Sequence, residues 1–319
     1  MKMLLIITNT RDVTADYLCG RLDERSIGFQ RLDTDRCLDQ VVLSYSISTP
    51  VMRCGAHEWA AGDFAHVWFR RPLPLRLGIG MEDAERSHTL AEWSEALEGF
   101  LGHIPLKAWM NHPSCNVRAS HKMEQLTRAA SFGLAVPPTI VSQDADRVRS
   151  FWTECDGRMI VKPLASGYVE RQSPSDDTVI YANRVPESAL ADLSLVSRCP
   201  TLFQQEVVKR LDVRLCVVDD RVVAAGLVAK ERGEQRLDIR RRNMRDVSYV
   251  QVEPPPDVEV ALLGLVRSYG LRFAAVDMAV AEDGRWFFFE INPNGQWAWL
   301  DISGGFDVGQ LFVQSFSRS

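Results

Sequence analysis

Two apolar runs near the C-terminal end constrain this chain most. Phe273-Ala-Ala-Val-Asp-Met-Ala-Val280 and Trp286-Phe-Phe-Phe-Glu-Ile-Asn292 both read as strands, and each carries oxygen-bearing side chains. Asp277 lies in the first. Glu290 and Asn292 end the second, two residues apart. Residues two apart on a strand face the same side, so Glu290 and Asn292 aim at one spot. An oxygen-only set of this kind suits Mg²⁺, which takes a few protein oxygens and fills its shell with phosphate and water. Without a nearby His or Cys, zinc does not fit. An edge strand with ordinary polar ends is the plainer reading of the same residues.

The string Glu290-Ile-Asn-Pro-Asn-Gly-Gln-Trp297 resembles the metal-binding end of the ATP-grasp ligases. Its Asn-Gly-Gln-Trp tail is similar to that of the ATP-grasp maturases of ribosomal peptides, the graspetide (microviridin-type) synthetases. The resemblance implies an α/β chain with an ATP-grasp fold. An N-terminal α/β pre-ATP-grasp domain would precede two α+β lobes that clamp the nucleotide. It also implies ATP and Mg²⁺ as cofactors, with Asp277, Glu290 and Asn292 as metal ligands.

Composition narrows the class. With 319 residues the chain can build two or three packed units. A net charge of −5 argues against a general nucleic-acid binder. No apolar run approaches the ~20 residues that span a bilayer, and the apolar start Met1–Thr8 reads as a first buried strand rather than a signal peptide. Seven scattered cysteines, none in a C-x-x-C pair, fit reduced thiols and a cytoplasmic location. All six histidines fall between His57 and His121, which weakens a Ser/His or Cys/His hydrolase.

Along the chain, residues 1–115 read as the N-terminal α/β unit. Its expected elements are the strand Leu4–Thr8, a helix Asp12–Arg25 capped by Asp12, strands Val41–Ser48 and His66–Phe69, a long helix Glu82–His103 and a short strand Lys107–Asn111. Residues 116–201 form a central lobe, the lid. It opens with a helix Ser120–Phe132 ended by Gly133, then strands Thr139–Ser142 and Arg158–Lys162 around a helix Asp146–Cys155. Residues 202–319 form the C-terminal lobe with the metal site. Its elements are Phe203–Val208, Val213–Val218, Val222–Leu227, a helix Val258–Tyr269 and the two ligand-bearing strands.

Upstream residues supply what a nucleotide enzyme needs. Lys122, in the first turn of its helix, and Lys162, at the end of an apolar strand, are placed to neutralise phosphates. A lysine turned inward is costly to bury without an anion. Ser166 and Gly167 follow, small enough for backbone N–H groups to approach phosphate. Glu206-Val207-Val208 looks like the ATP-grasp hinge that reads the adenine edge. Asp212 and Arg214 share one strand face, and Arg214 suits bidentate contact with a γ-phosphate or carboxylate. Each feature alone has a plainer reading, such as a snorkelling lysine, an ordinary turn or a surface salt bridge. Their order along residues 115–300 carries the resemblance.

Two further features resemble the peptide-maturase branch. One is Val67-Trp-Phe-Arg70-Arg71-Pro72. The other is Leu237-Asp238-Ile239-Arg240, inside a run from Lys230 to Arg245 with seven Lys/Arg against three Asp/Glu. The resemblance implies a macrocyclase, with Arg214, Asp238 and Arg240 as catalytic residues. It would activate Asp or Glu side chains of a ribosomal precursor peptide as acyl phosphates. Thr or Ser hydroxyls would then form esters, or Lys amines amides. The implied partners are a precursor with a leader and an acidic core and a second copy of the chain, with no nucleic acid and no membrane. The competing readings are an ATP-grasp ligase adding a free amino acid, as in glutamate ligases or glutathione synthetases, and a non-catalytic nucleotide-binding protein. An intact Asp277, Glu290 and Asn292 set argues against the last.

Overall fold

The computed structural model describes residues 3–36, 41–47, 49–77, 82–165, 167–169, 178–229, 237–239 and 247–318. Strand β1 (Met3–Thr8) is buried over nearly its whole length. Helix α1 (Val13–Glu24) follows, and Asp12 caps it by accepting from the Thr14 and Ala15 N–H groups. Strands β2 (Phe29–Asp33), β3 (Val41–Ser46), β4 (Thr49–Cys54), β5 (His57–Ala60), β6 (Phe64–Phe69) and β7 (Trp109–Met110) complete two small sheets. One is parallel, in the order β2-β1-β6-β7. The other is antiparallel, β3-β4-β5. Helix α2 (Asp83–Gly102) buries Leu97, Phe100 and Leu101 against both. Only Trp109 and Met110 of the expected Lys107–Asn111 strand pair with β6, because Leu106–Ala108 coils into a 3₁₀ turn.

A short helix α3 (Pro113–Arg118) leads into α4 (Lys122–Ser131), which Gly133 stops with φ of +89°. Next come β8 (Thr139–Ser142), α5 (Ala145–Glu154), β9 (Met159–Lys162), β10 (Tyr168–Val169), β11 (Thr178–Val179), β12 (Asn183–Arg184) and β13 (Thr201–Gln205). The second main sheet runs β12-β9-β13-β8, with α5 packed on it through Val148 and Phe151. Two expectations about the units change here. Strand β13 pairs with β8 and β9, so the expected boundary at 202 falls inside a strand, and the chain leaves this sheet over Glu206–Val208. Helix α4, expected to open the central lobe, packs instead on the next sheet through Leu126 and Ala129.

That sheet has five strands. They are β14 (Lys209–Val218), β15 (Arg221–Ala229), β16 (Val247–Gln251), β17 (Phe273–Ala281) and β18 (Trp286–Asn292), antiparallel in the order β16-β15-β14-β17-β18. Both faces are covered, which is why its strands read as continuous apolar runs. Val213, Leu215, Val217, Ala274, Val276 and Met278 pack under α4 and α6 (Pro256–Ser268). On the other face Cys216, Val218, Phe273 and Ala275 meet α1, α7 (Ala298–Gly304) and α8 (Val308–Phe316), with Trp297 stacked on Phe312. Farther along this second face the helices stop, and its next positions are polar.

Candidate active site

A cleft of about 1430 Å³ lies between the β12-β9-β13-β8 sheet and the five-stranded sheet, the second and third main sheets. Its floor is the uncovered end of the five-stranded sheet. Register partners on neighbouring strands share a face. Arg214 on β14 pairs with Asp277 on β17, Asp277 with Glu290 on β18, and Ala275 with Asn292. Asp212, Arg214, Asp277, Glu290 and Asn292 therefore line one surface, as strand alternation predicts, and all five line the cleft. A bulge supports this. The register shifts between Met278↔Phe288 and Asp277↔Glu290, leaving Phe289 as the extra residue. Without it, alternation from buried Phe288 would turn Glu290 away from the cleft.

Each carboxylate is met by a cation. Arg214 Nη1 donates to Asp277 Oδ1 at 2.8 Å, and its Nη2 donates to the Gln296 carbonyl at 3.0 Å. Burial would lower the Arg214 pKa, but the surrounding groups, the Asp277 carboxylate first among them and Glu290 with it, together raise it. Lys122 Nζ lies 3.3 Å from Glu290 Oε2 and donates to the Pro163 carbonyl at 3.0 Å. Asn292 Oδ1 accepts from the Asn294 N–H at 3.0 Å, which shapes the turn after β18. Among the described residues no group of three or more His, Cys, Asp or Glu is arranged to hold a metal ion by itself. A cation here would meet two carboxylates and one amide oxygen.

Lys162 Nζ donates to Gln204 Oε1 at 2.9 Å and sits 5.4 Å from the Phe289 ring centre. Gln204 is buried and is held by Thr139, to whose hydroxyl it donates at 2.8 Å. Gly167 carries a real constraint. A Cβ there would clash with the Ile180 carbonyl, and the Ile180 N–H donates to the Gly167 carbonyl at 2.6 Å. Ser166 lies outside the described residues.

In the hinge, the Glu206 N–H donates to the Arg158 carbonyl at 2.8 Å. Its carboxylate accepts two hydrogen bonds from Arg184, at 2.7 and 2.5 Å. Glu206 and Val207 line the cleft. Val208, expected with them, does not. It is 44% exposed, and its carbonyl accepts from the Glu282 N–H at 3.2 Å. Asp238, 7% exposed, accepts from the Ala182 N–H at 3.3 Å and closes one wall. Arg240 and most of the basic run lie outside the described residues.

The sequence reading missed three cleft residues. Lys209 donates to Asp212 Oδ1 at 2.6 Å and to the Leu237 carbonyl at 3.1 Å, and sits 5.8 Å from the same Phe289 ring. Burial pushes the Asp212 carboxyl up while the Lys209 ammonium pulls it down, and burial prevails. A bulge at Arg210 hides Lys209 from pattern reading, because strict alternation puts Arg210 beside Asp212. Phe289 and Gln204 read as ordinary strand residues in a one-dimensional pattern.

The N-terminal unit is tied to the turn after β18 by Arg70, which is fully buried. Its Nε lies 3.3 Å from Asp12 Oδ2. Its Nη1 donates to the Asn294 carbonyl and, at 3.2 Å, to the Gly295 carbonyl. Burial is the main cause that lowers its pKa to about 10.

Residues 3–117 match the family model of the MvdD pre-ATP grasp domain. Solved structures match across the whole chain. The macrocyclase MdnC from Microcystis aeruginosa MRC, bound with the precursor peptide MdnA, shares 24% identity over 100% of both chains, with a TM-score of 0.81. The fold is ATP-grasp. A Chryseobacterium gregarium RiPP-associated ATP-grasp ligase, in complex with ADP and a leader and core peptide, shares 24% identity over 99% of this chain and 96% of that one, with a TM-score of 0.87. The ATP-grasp ligase PsnB, complexed with a phosphomimetic variant of its minimal precursor, Mg and ADP, shares 19% identity over 99% and 98%, with a TM-score of 0.73. No curated protein matches the chain. In an ATP-grasp fold, the cleft between the second and third sheets lies between the two clamping lobes.

Proposed function

We propose that this chain is an ATP-dependent peptide macrocyclase acting on a ribosomal precursor with an acidic core. The observation that carries the reading is the shared sheet face of Asp212, Arg214, Asp277, Glu290 and Asn292, opposed by Lys122 and Lys162. The donor set fits Mg²⁺ in its chemistry, because two carboxylates and an amide oxygen line one face of adjacent strands, beside cations that neutralise the carboxylates. Bound there, Mg²⁺ would neutralise phosphate charge.

In this reading Glu206 and Val207 hold the adenine end, and Lys162, Lys122 and the Gly167 backbone hold the phosphates. Arg214, with Asp238 and Arg240, aligns a peptide side-chain carboxylate with the γ-phosphate. The carboxylate attacks that phosphate, giving an acyl phosphate and ADP. A Thr or Ser hydroxyl, or a Lys amine, of the same peptide then displaces phosphate. The protein positions groups and balances charge. The second sheet covers the cleft, which keeps water from the acyl phosphate. Handling of a ribosomal product supports a cytoplasmic enzyme. No helix among the described residues is long and apolar enough to cross a membrane. The sequence resemblance supports a homodimer, which light scattering checks.

The test is mass spectrometry of a Thr/Glu-rich or Thr/Asp-rich peptide encoded beside the gene, incubated with the chain, ATP and Mg²⁺. Macrocyclisation removes one water per ring. Gain of an amino-acid residue would instead mean ligation of a free amino acid. An unchanged peptide with undiminished ATP would contradict both.

A further inference from the structure

Among the described residues, five cationic side chains line the cleft: Arg71, Lys122, Lys162, Lys209 and Arg214. Four are engaged, with Glu290, Gln204, Asp212 and Asp277 respectively. Arg71 is different. It is exposed, and no described acceptor meets its guanidinium.

Its backbone is held firmly. The Asn9 amide donates to the Arg71 carbonyl at 2.6 Å. The preceding residue, Arg70, is locked onto the Asn294 and Gly295 carbonyls just past β18. Arg71 therefore presents a charge from a fixed base, next to a second, buried guanidinium that repels it. Two adjacent cations of which one is unpaired favour an incoming anion.

The place of Arg71 along the cleft identifies that anion. Lys162 and Lys209 meet at Phe289, Lys122 meets Glu290, and Arg70 meets Asn294. Moving along β18 from Phe289 and past its end to Asn294 thus leads from Lys162 and Lys209, past Lys122 at Glu290, to Arg70 and its neighbour Arg71. The anion at Arg71 therefore lies at the far end of this row, on the N-terminal-unit side of Lys122 and Glu290. We propose that Arg71 selects the acidic peptide by gripping one of its side-chain carboxylates where the N-terminal sheet meets the cleft. A planar guanidinium matches a carboxylate with two parallel hydrogen bonds. This rests on the acidic-peptide reading above. It gives a role to the second arginine of Trp68-Phe-Arg-Arg-Pro72, which that reading does not use.

The test measures discrimination. A fluorescein-labelled peptide of alternating Thr and Glu, and a matched peptide with Gln for Glu, are titrated with the chain in the presence of Mg²⁺ and a non-hydrolysable ATP analogue. Wild type should bind the Glu peptide at least about ten-fold more tightly, the worth of one charge-assisted contact. Arg71→Ala should lose about ten-fold of that preference, the share of one charge-assisted contact, with nucleotide affinity unchanged. Arg71→Lys should keep part of the preference, and Arg53→Ala, on the exposed surface of β4, should keep all of it. Undiminished discrimination in Arg71→Ala overturns the role of Arg71 alone. Loss of nucleotide affinity in that variant makes Arg71 a support of the fold and overturns it too. A wild type that ignores the Glu peptide, or binds both equally, overturns the acidic-peptide reading and this role with it.

Discussion

Asp277 and Glu290 face each other across adjacent antiparallel strands, and the bulge at Phe289 turns Glu290 into the cleft beside Asp277. Their negative charges are balanced from opposite sides by Arg214 and Lys122. In our reading Mg²⁺ joins this balance when the nucleotide binds. Glu290→Gln keeps the shape and removes one charge. It should abolish turnover while leaving the thermal unfolding midpoint near that of wild type. Wild-type turnover of this variant at physiological Mg²⁺ would remove Glu290 from the metal site.

Of the lysines we propose for the phosphates, Lys162 is held by the buried Gln204 and lies over Phe289. Lys162→Met should cost about 1.5–3 kcal/mol of nucleotide binding, roughly 10- to 100-fold. Calorimetry with ADP and Mg²⁺ checks it. Unchanged affinity places Lys162 outside the nucleotide site.

Lys209 ties β14 to the Leu237–Ile239 segment and partners a carboxylate that burial has pushed up. An acid with a raised folded pKa gives stability at low pH that is lost as pH rises through its titration. Lys209→Met removes the cation that limits this loss. Its stability deficit should be absent below the ordinary Asp pKa of 3.8 and grow above it. At neutral pH it should reach about 2–3 kcal/mol, somewhat under the cost of breaking a fully buried pair. Adding Asp212→Asn should recover most of it. Denaturant midpoints across the acid range measure this, and a deficit independent of pH would contradict it.

Gly295 lets the turn after β18 press onto the sheet. A Cβ there would overlap the Ala275 side chain and lie 2.6 Å from Arg214 Nη2. Gly295→Ala should push Arg214 off Asp277 and lower turnover at least about ten-fold, since misplacement near 1 Å can cost 10²-fold. Far-ultraviolet circular dichroism should stay unchanged. Full activity would show that the turn can move without disturbing Arg214.

Much of this was readable in one dimension because strand alternation and ligand chemistry are local. Asp12 declares itself as a cap, and Gly133 as a helix stop. Glu290 and Asn292 stand two apart and do share a face, although a bulge lies directly before them. What alternation could not supply was a register shift. Arg210 occupies the position that pattern assigns to the cleft, and the bulge gives that place to Lys209. Val208 reads as the third residue of a hinge, yet the chain has already turned there and exposes it. Sheet membership was also hidden. Nothing local tells strand Thr201–Gln205 that its partners lie at Thr139–Ser142 and Met159–Lys162, or tells helix Lys122–Ser131 that it packs on a strand more than 150 residues later.

The central claim is that a peptide carboxylate attacks the γ-phosphate of ATP. Transfer of heavy oxygen tests it directly. A substrate peptide carrying heavy oxygen in its Asp or Glu side-chain carboxylates is turned over with ATP and Mg²⁺, and the released phosphate is analysed by mass. An acyl-phosphate route moves one labelled oxygen into phosphate for each ring closed, with ADP as the other product. Release of AMP, or phosphate with no label while rings form, would contradict the account.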